Sequence, residues 1–162
     1  MKKPPYKIAL LFGSQSGKTA LLAKSLYQNI LDRNLPCDLY DLEGKVLEDF
    51  KDYEVIILAT STYGDGEPPD NATQFFQSLK GSNPLSLGEK KYYALIGIGD
   101  RFYPHFCQAA VDFDQEFKDR GFQAISETFL GEFQEQELIE DWTSNLLYHL
   151  DFIVLNQTSG LE

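Results

Sequence analysis

KIALLFGSQSGKTALLAKSLYQNI, residues 7–30, joins a compact apolar run to a helical repeat through a glycine-rich turn. Residues 7–12 have the continuous apolar character of a strand covered on both faces. Over residues 19–34, Leu22, Ala23, Leu26 and Ile30 recur at helical spacing. The turn between them, GSQSGKT (13–19), ends in Gly-Lys-Thr and points to phosphate. A Walker A loop is excluded, because it needs four residues between its glycines to wrap a β-phosphate. Here only Ser14, Gln15 and Ser16 separate Gly13 from Gly17, and Phe12 stands where the first glycine should be. The hydrolase elbow needs serine at its centre, and the centre here is Gln15. What remains is Ser14, Ser16 and Thr19 around Gly17 at a helix start, where backbone N–H groups and hydroxyls suit a single terminal phosphomonoester. The bland alternative is an ordinary strand-to-helix turn with a serine cap.

The same alternation continues outward. Residues 37–42 alternate as a half-buried strand, and VIILAT (55–60) is a second continuous one. Asp70 or Asn71 can cap a helix carrying Phe75, Phe76 and Leu79. Residues 92–98 read as the next buried strand. From Phe106, residues Ala109, Ala110, Phe113 and Phe117 mark a helix that stops at Gly121. Residues 124–130 read as the last strand and 138–150 as the last helix, with Trp142 and Leu146 inward. The order is β-α-β-β-α-β-α-β-α, with the acidic stretch 43–52 as a connector. No repeat, low-complexity tract or linker divides residues 1–162, so they read as one α/β domain. Repeated βα units imply a doubly wound, mostly parallel sheet with helices on both faces. Ligands of such sheets sit beyond the carboxyl ends of the strands at the switch point. The loops 13–19, 61–71 and 97–107 should therefore meet at one edge.

Bulk composition narrows the partners. The chain has 43% hydrophobic residues and a net charge of −11, which argues against nucleic acid and anionic membranes and fits a basic protein partner. Cys37 and Cys107 lie far apart and form no CxxC pair, and with two histidines a zinc site is not expected. Reduced thiols in a cytoplasmic protein are the simplest reading. No stretch approaches the ~20 apolar residues of a membrane span. The basic N-terminus lacks a small-residue cleavage site and leads into the first strand. The closing SGLE (159–162) reads as a tag remnant outside the fold.

The second loop, STYGDGEPPDNA (61–72), offers Gly64 and Gly66 for positive φ and Tyr63 as a flat ring. The third, GIGDRFYPHFC (97–107), carries Tyr103. Gly97 and Gly99 start a G-x-G-x-x-G match, but Phe102 replaces the third glycine, so the dinucleotide reading fails. Two aromatic-bearing loops beside one phosphomonoester loop suit a flat heterocycle on a short phosphorylated arm, which FMN provides.

GSQSGKT, STYGDGEPPDNA and GIGDRFYPHFC resemble the three FMN-binding loops of the flavodoxin family. They are most similar to the FMN domains of diflavin reductases and the small stand-alone flavodoxins related to them. The resemblance spans about residues 7–150, including Glu140-Asp141-Trp142 in the final helix, and TYGDGEPPDNA is its specific part. It implies a five-stranded 2-1-3-4-5 sheet and non-covalent FMN, and the chain lacks the long insertion that splits the last strand in long-chain flavodoxins. By resemblance, Ser14, Gln15, Ser16, Gly17, Lys18 and Thr19 hold the phosphate. Lys18 departs from the neutral residue usual there, so its side chain should face solvent while its N–H serves the phosphate. Ser61, Thr62, Tyr63 and Gly64 would border one side of the isoalloxazine, and Gly99, Asp100, Tyr103, Phe106 and Cys107 the other, with Tyr103 as the coplanar stack. The family's acidic residue before the last helix has no clear counterpart in residues 132–136, so none is assigned. His105 reads as a surface or capping residue, and Cys107 as a buried lining residue and not a redox thiol.

The resemblance implies an electron carrier, with no general base evident, shuttling electrons between a basic reductase and an acceptor protein that dock near the flavin edge. The expected state is a monomer in the cytoplasm. Three alternatives stay open: the FMN domain of an NADPH-dependent diflavin reductase, a small FMN-dependent reductase, and a non-redox binding module. The last leaves Tyr63 and Tyr103 unexplained. A start at Met1 favours a separate protein over one domain of a larger reductase.

Overall fold

The computed structural model describes residues 5–159, so the first four residues and residues 160–162 of the closing SGLE lie outside the described residues. β1 (Ile8–Gly13) leads through the glycine turn into α1 (Lys18–Leu31). β2 (Cys37–Asp41) and β3 (Val55–Ser61) follow, separated by a short 3-10 turn at Leu47–Phe50. A second 3-10 turn, Asp70–Ala72, runs into α2 (Thr73–Lys80), and β4 (Tyr92–Ile98) comes next. α3 (Gln108–Asp119), β5 (Gln123–Ala124), β6 (Phe129–Gly131) and α4 (Gln136–Ser159) complete the chain.

The strands form one parallel sheet in the order β2-β1-β3-β4-β5, with β6 also paired to β4. Ile8 stands opposite Cys37 on one side and Val55 on the other, and Val55 in turn opposite Tyr92. β5 pairs with Tyr92 and Tyr93, and β6 with Ile96 to Ile98, so the fifth position holds two short strands separated by residues 125–128. The sequence suggests one strand there. Residues 125–128, beginning with the buried Ile125, leave the pairing with β4 and interrupt it for four residues.

Side chains alternate across each strand, and two cores result. On one face Leu10, Ile57 and Ile96 meet Ala23, Leu26 and Ile30 of α1 and Trp142, Leu146, Leu150 and Val154 of α4. The four α4 residues recur every fourth position, which carries the helix past Leu150, where the sequence reading ends it. On the other face Leu11, Ile56, Leu58 and Tyr93 meet Phe50, Phe75, Phe113 and Phe117. Tyr93 stacks on Phe117 with centroids 4.9 Å apart. A strand buried on both faces needs an apolar residue at every position, which is why the central runs lack alternation. α3 lies close on β4 because Gly97 has no side chain: a Cβ there would stand 2.5 Å from Ala110 Cβ.

No helix among the described residues is long and apolar enough to cross a membrane.

Candidate functional site

The three loops leave the carboxyl ends of β1, β3 and β4, which are adjacent in the sheet, so they converge at one edge. In the first, the Gly17 N–H donates to Ser14 Oγ at 3.2 Å, and Gly17 takes φ 87°. That left-handed conformation costs a residue with a β-carbon about 1 kcal/mol or more. The turn aims the N–H groups of Gln15 and Ser16 at one point, where the Tyr63 hydroxyl oxygen accepts both at 3.2 Å. Burial, the largest single influence, pushes the Tyr63 hydroxyl pKa up. The Ser61 and Ser16 side chains and the Gln15 and Ser16 amides together outweigh burial, so the pKa is lowered. The point where these amides meet therefore favours negative charge.

Tyr63 is fixed by its own loop. Its N–H donates to the Glu67 carbonyl, and the Glu67 N–H to the Tyr63 carbonyl, both at 2.8 Å, around Gly64 (φ 54°) and Gly66 (φ 102°). Thr62 Oγ1 accepts the Ala109 N–H at 3.0 Å, tying this loop to the first turn of α3.

Thr62, Tyr63 and Gly64 face Gly99, Asp100, Tyr103, Phe106 and Cys107 across a cleft of about 180 Å³, with His105 at its side. Tyr103 is 65% exposed, whereas Cys107 is buried at the floor. Its Sγ donates to the Gly97 carbonyl at 3.4 Å. Cys107 itself takes φ 53°, and α3 begins only at Gln108, two residues later than the apolar spacing suggests. Residues 101–107 are turns, tied to other segments at Arg101 and at Cys107.

The structure thus brings Thr62, Tyr63, Gly64, Gly99, Asp100, Tyr103, Phe106 and Cys107 to one cleft, with residues 14–17 joined to it through the Tyr63 hydroxyl. Lys18 is exposed, its Nζ 6.0 Å from the Phe133 ring. Thr19 is buried, and among the described residues its Oγ1 has no hydrogen-bond partner. A phosphate fits these observations: two converging N–H donors and a buried hydroxyl, at a helix start. The two tyrosines on facing loops fit a planar ring.

Sequence reasoning missed Arg101, Glu132 and Glu135. One guanidinium nitrogen of Arg101 donates to both carboxylate oxygens of Glu135, at 2.8 and 3.1 Å, while the Arg101 N–H donates to Glu132 Oε2 at 2.9 Å. The Glu132 N–H and the Arg101 guanidinium hold the Glu135 carboxyl below the usual carboxylate range.

Both thiols are chemically muted. Burial pushes Cys107 up to about 11 and Cys37 up to about 12. At pH 8 the native protein should react with a thiol reagent about 100-fold or more slowly than a free thiol, and denaturant should release both cysteines. Rapid modification of Cys107 in the native state, located by peptide mapping, would make it a working thiol.

A family model described as Flavodoxin matches residues 10–143. The chain is 33% identical over 144 residues to the sulfite reductase [NADPH] flavoprotein alpha-component of Buchnera aphidicola, covering 89% of this chain and 24% of that protein. It is 32% identical over 138 residues to NADPH oxidoreductase A of Dictyostelium discoideum, covering 84% and 21%. It thus spans about a quarter of the length of these curated relatives. Among solved structures, the flavodoxin of Streptococcus pneumoniae TIGR4 superposes with a TM-score of 0.76 at 29% identity, covering 92% of this chain and 98% of that one. Oxidised Flavodoxin 2 from Bacillus cereus also gives 0.76, at 28% identity, covering 90% and 98%.

Proposed function

The chain belongs to the flavodoxin family, and from that premise we propose that it is an electron carrier of the short-chain flavodoxin type, with residues 1–162 acting as one FMN-binding domain. The observation that carries this reading is the cleft between Tyr63 and Tyr103, opening beside the amides of Gln15 and Ser16. Bound there, FMN supplies the redox chemistry, taking and giving one or two electrons.

The chain's residues bind, orient and shield. Ser14, Gln15, Ser16, Gly17, the Lys18 backbone and Thr19 hold the phosphate through N–H groups and hydroxyls. Ser61, Thr62, Tyr63 and Gly64 form one side of the ring site, and Gly99, Asp100, Tyr103, Phe106 and Cys107 the other. Tyr103 is the stacking ring, because it is the more exposed aromatic facing the cleft. Asp65, Glu67 and Asp100 lie on the two loops around the cleft, disfavour further negative charge there, and attract a basic partner. No residue of the cleft needs to move a proton for an electron to leave through its open mouth. The buried thiols fit a reducing compartment, and the proposal places the protein in the cytoplasm as a monomer.

The match to the Buchnera flavoprotein favours a second reading, the FMN domain of an NADPH-dependent diflavin reductase. The site is the same in both, and only the source of electrons differs.

Purification in the presence of FMN tests the proposal. The expected product is yellow, with stoichiometric FMN. After chemical reduction it should pass electrons to ferricyanide and to basic cytochrome c, the latter more slowly as salt screens the charges. NADPH alone should leave it oxidised. A protein that takes up no FMN removes the reading, and direct oxidation of NADPH replaces the carrier with a small reductase.

A further inference from the structure

We propose that Arg101 is a positioning residue for the ring-facing wall of the cleft, fastening the turn that carries Tyr103 to the start of α4. The proposal rests on the reading of this cleft as an FMN site.

The segment 99–103 is laced to residues 131–135 at three points. The Gly99 N–H donates to the Gly131 carbonyl at 2.9 Å, the Arg101 N–H to Glu132, and the Arg101 side chain to both oxygens of Glu135. Glu135 is itself held, because its Oε1 accepts the Glu132 N–H at 2.7 Å and its carbonyl accepts the Ile139 N–H of α4 at 3.1 Å. On its other side the Arg101 guanidinium carbon lies 4.9 Å from the Phe106 ring centre, and Phe106 lines the cleft. Asp100 completes the turn: its carboxylate accepts the Phe102 N–H at 2.9 Å and its carbonyl the Tyr103 N–H at 3.0 Å.

Tyr103 itself is 65% exposed, and among the described residues its hydroxyl bonds no other side chain. Its direction is set by the turn before it, and the turn by Arg101. An isolated surface ion pair would do little here. This one differs in three ways: Glu135 is only 24% exposed, one nitrogen bridges both carboxylate oxygens, and the backbone N–H of the same arginine bonds the neighbouring Glu132. Networks of this kind are where charged contacts fix geometry. A wall fixed before the ligand arrives spares the ordering cost at binding.

The test compares Arg101→Met, Glu135→Gln and Tyr103→Ala, singly and paired, by flavin fluorescence titration and by thermal unfolding of the cofactor-free protein. Arg101→Met and Glu135→Gln should each weaken FMN roughly five- to tenfold, and together no more than either alone. The loss should be the same factor for riboflavin, because the arginine acts on the ring side and not on the phosphate. In the Tyr103→Ala background, Arg101→Met should change affinity less than about twofold. Arg101→Lys, a second variant against misfolding, should recover part of the loss. If the Arg101→Met loss persists undiminished without Tyr103, or adds fully to that of Glu135→Gln, the positioning role is overturned. A lower unfolding midpoint with unchanged flavin affinity also overturns it and leaves only a stabilising contact. Failure of the parent protein to bind flavin is a different result, which removes the FMN reading itself.

Discussion

In a titration followed by flavin fluorescence, riboflavin should bind at least about 100-fold more weakly than FMN, and ATP should not compete at micromolar concentration. The difference between the two flavins is one phosphate, and the first loop is built for it. Gln15 and Ser16 turn two N–H groups onto a single point, and the Tyr63 oxygen now accepts them. An anionic oxygen in that position makes hydrogen bonds about twice as strong as a neutral hydroxyl does. Thr19 adds a buried hydroxyl that has no partner among the described residues. Replacing the neutral Tyr63 oxygen by an anionic one gains roughly 1 kcal/mol at each of the two amides, and a charge-assisted bond to Thr19 adds about 1.5–3 kcal/mol, so these groups together exceed the roughly 2.7 kcal/mol that a 100-fold ratio requires. Thr19→Val should remove part of the preference for FMN without lowering the stability of the cofactor-free chain, since no protein bond is lost. Equal affinity for the two flavins would remove the phosphate-loop assignment. Tight ATP binding would restore the nucleotide reading that the loop length excludes.

Phe113→Ala should lower the unfolding midpoint by about 6–20 °C. The side chain is fully buried against Phe75, Phe76 and Phe117, with ring centres 6.1, 4.9 and 6.5 Å away. Truncating a buried phenylalanine costs about 3–5 kcal/mol, because the cavity left behind collapses only in part. For a chain of this size each kcal/mol is worth roughly 2–4 °C. The damage should reach the cleft, since α3 carries Phe113 on one face and at its first turn bonds Thr62 through the Ala109 N–H. FMN at 100 times its dissociation constant should return about 2.7 kcal/mol, part of the loss, by mass action. A fall of only a degree or two, read by calorimetry, would mean that the aromatic face closes over the gap.

The fold was legible in the sequence because its sheet is buried on both faces. Such strands must be apolar at every position, so VIILAT and the runs at 7–12 and 92–98 stand out against the periodic helices. The fifth strand was not resolved as two, because its break at residues 125–128 depends on pairing with β4 and not on a turn signal. The apolar spacing starts α3 two residues early, because Phe106 and Cys107 share the apolar character of the helix that follows them. In the site, residue types named the three loops, and the cleft gathers them. What the types could not name were the bonds between loops. Tyr63 reaches Gln15 across 48 residues, and Arg101 reaches Glu135 across 34. Opposite charges at 101 and 135 are visible in the chain, but they become partners only once β4 and β6 are known to be neighbours.

The broken fifth position also bears on how the protein avoids sticking to itself. An open sheet has two edges, each a row of backbone groups that can template another chain. Here one edge is reduced to strands of two and three residues, too short to offer a continuous template. The opposite edge, β2, carries Asp38 and Asp41, exposed carboxylates that repel a second copy laid alongside. The interruption therefore blunts the flank whose strands carry no charged residue, and the acidic strand guards the flank that lacks an interruption.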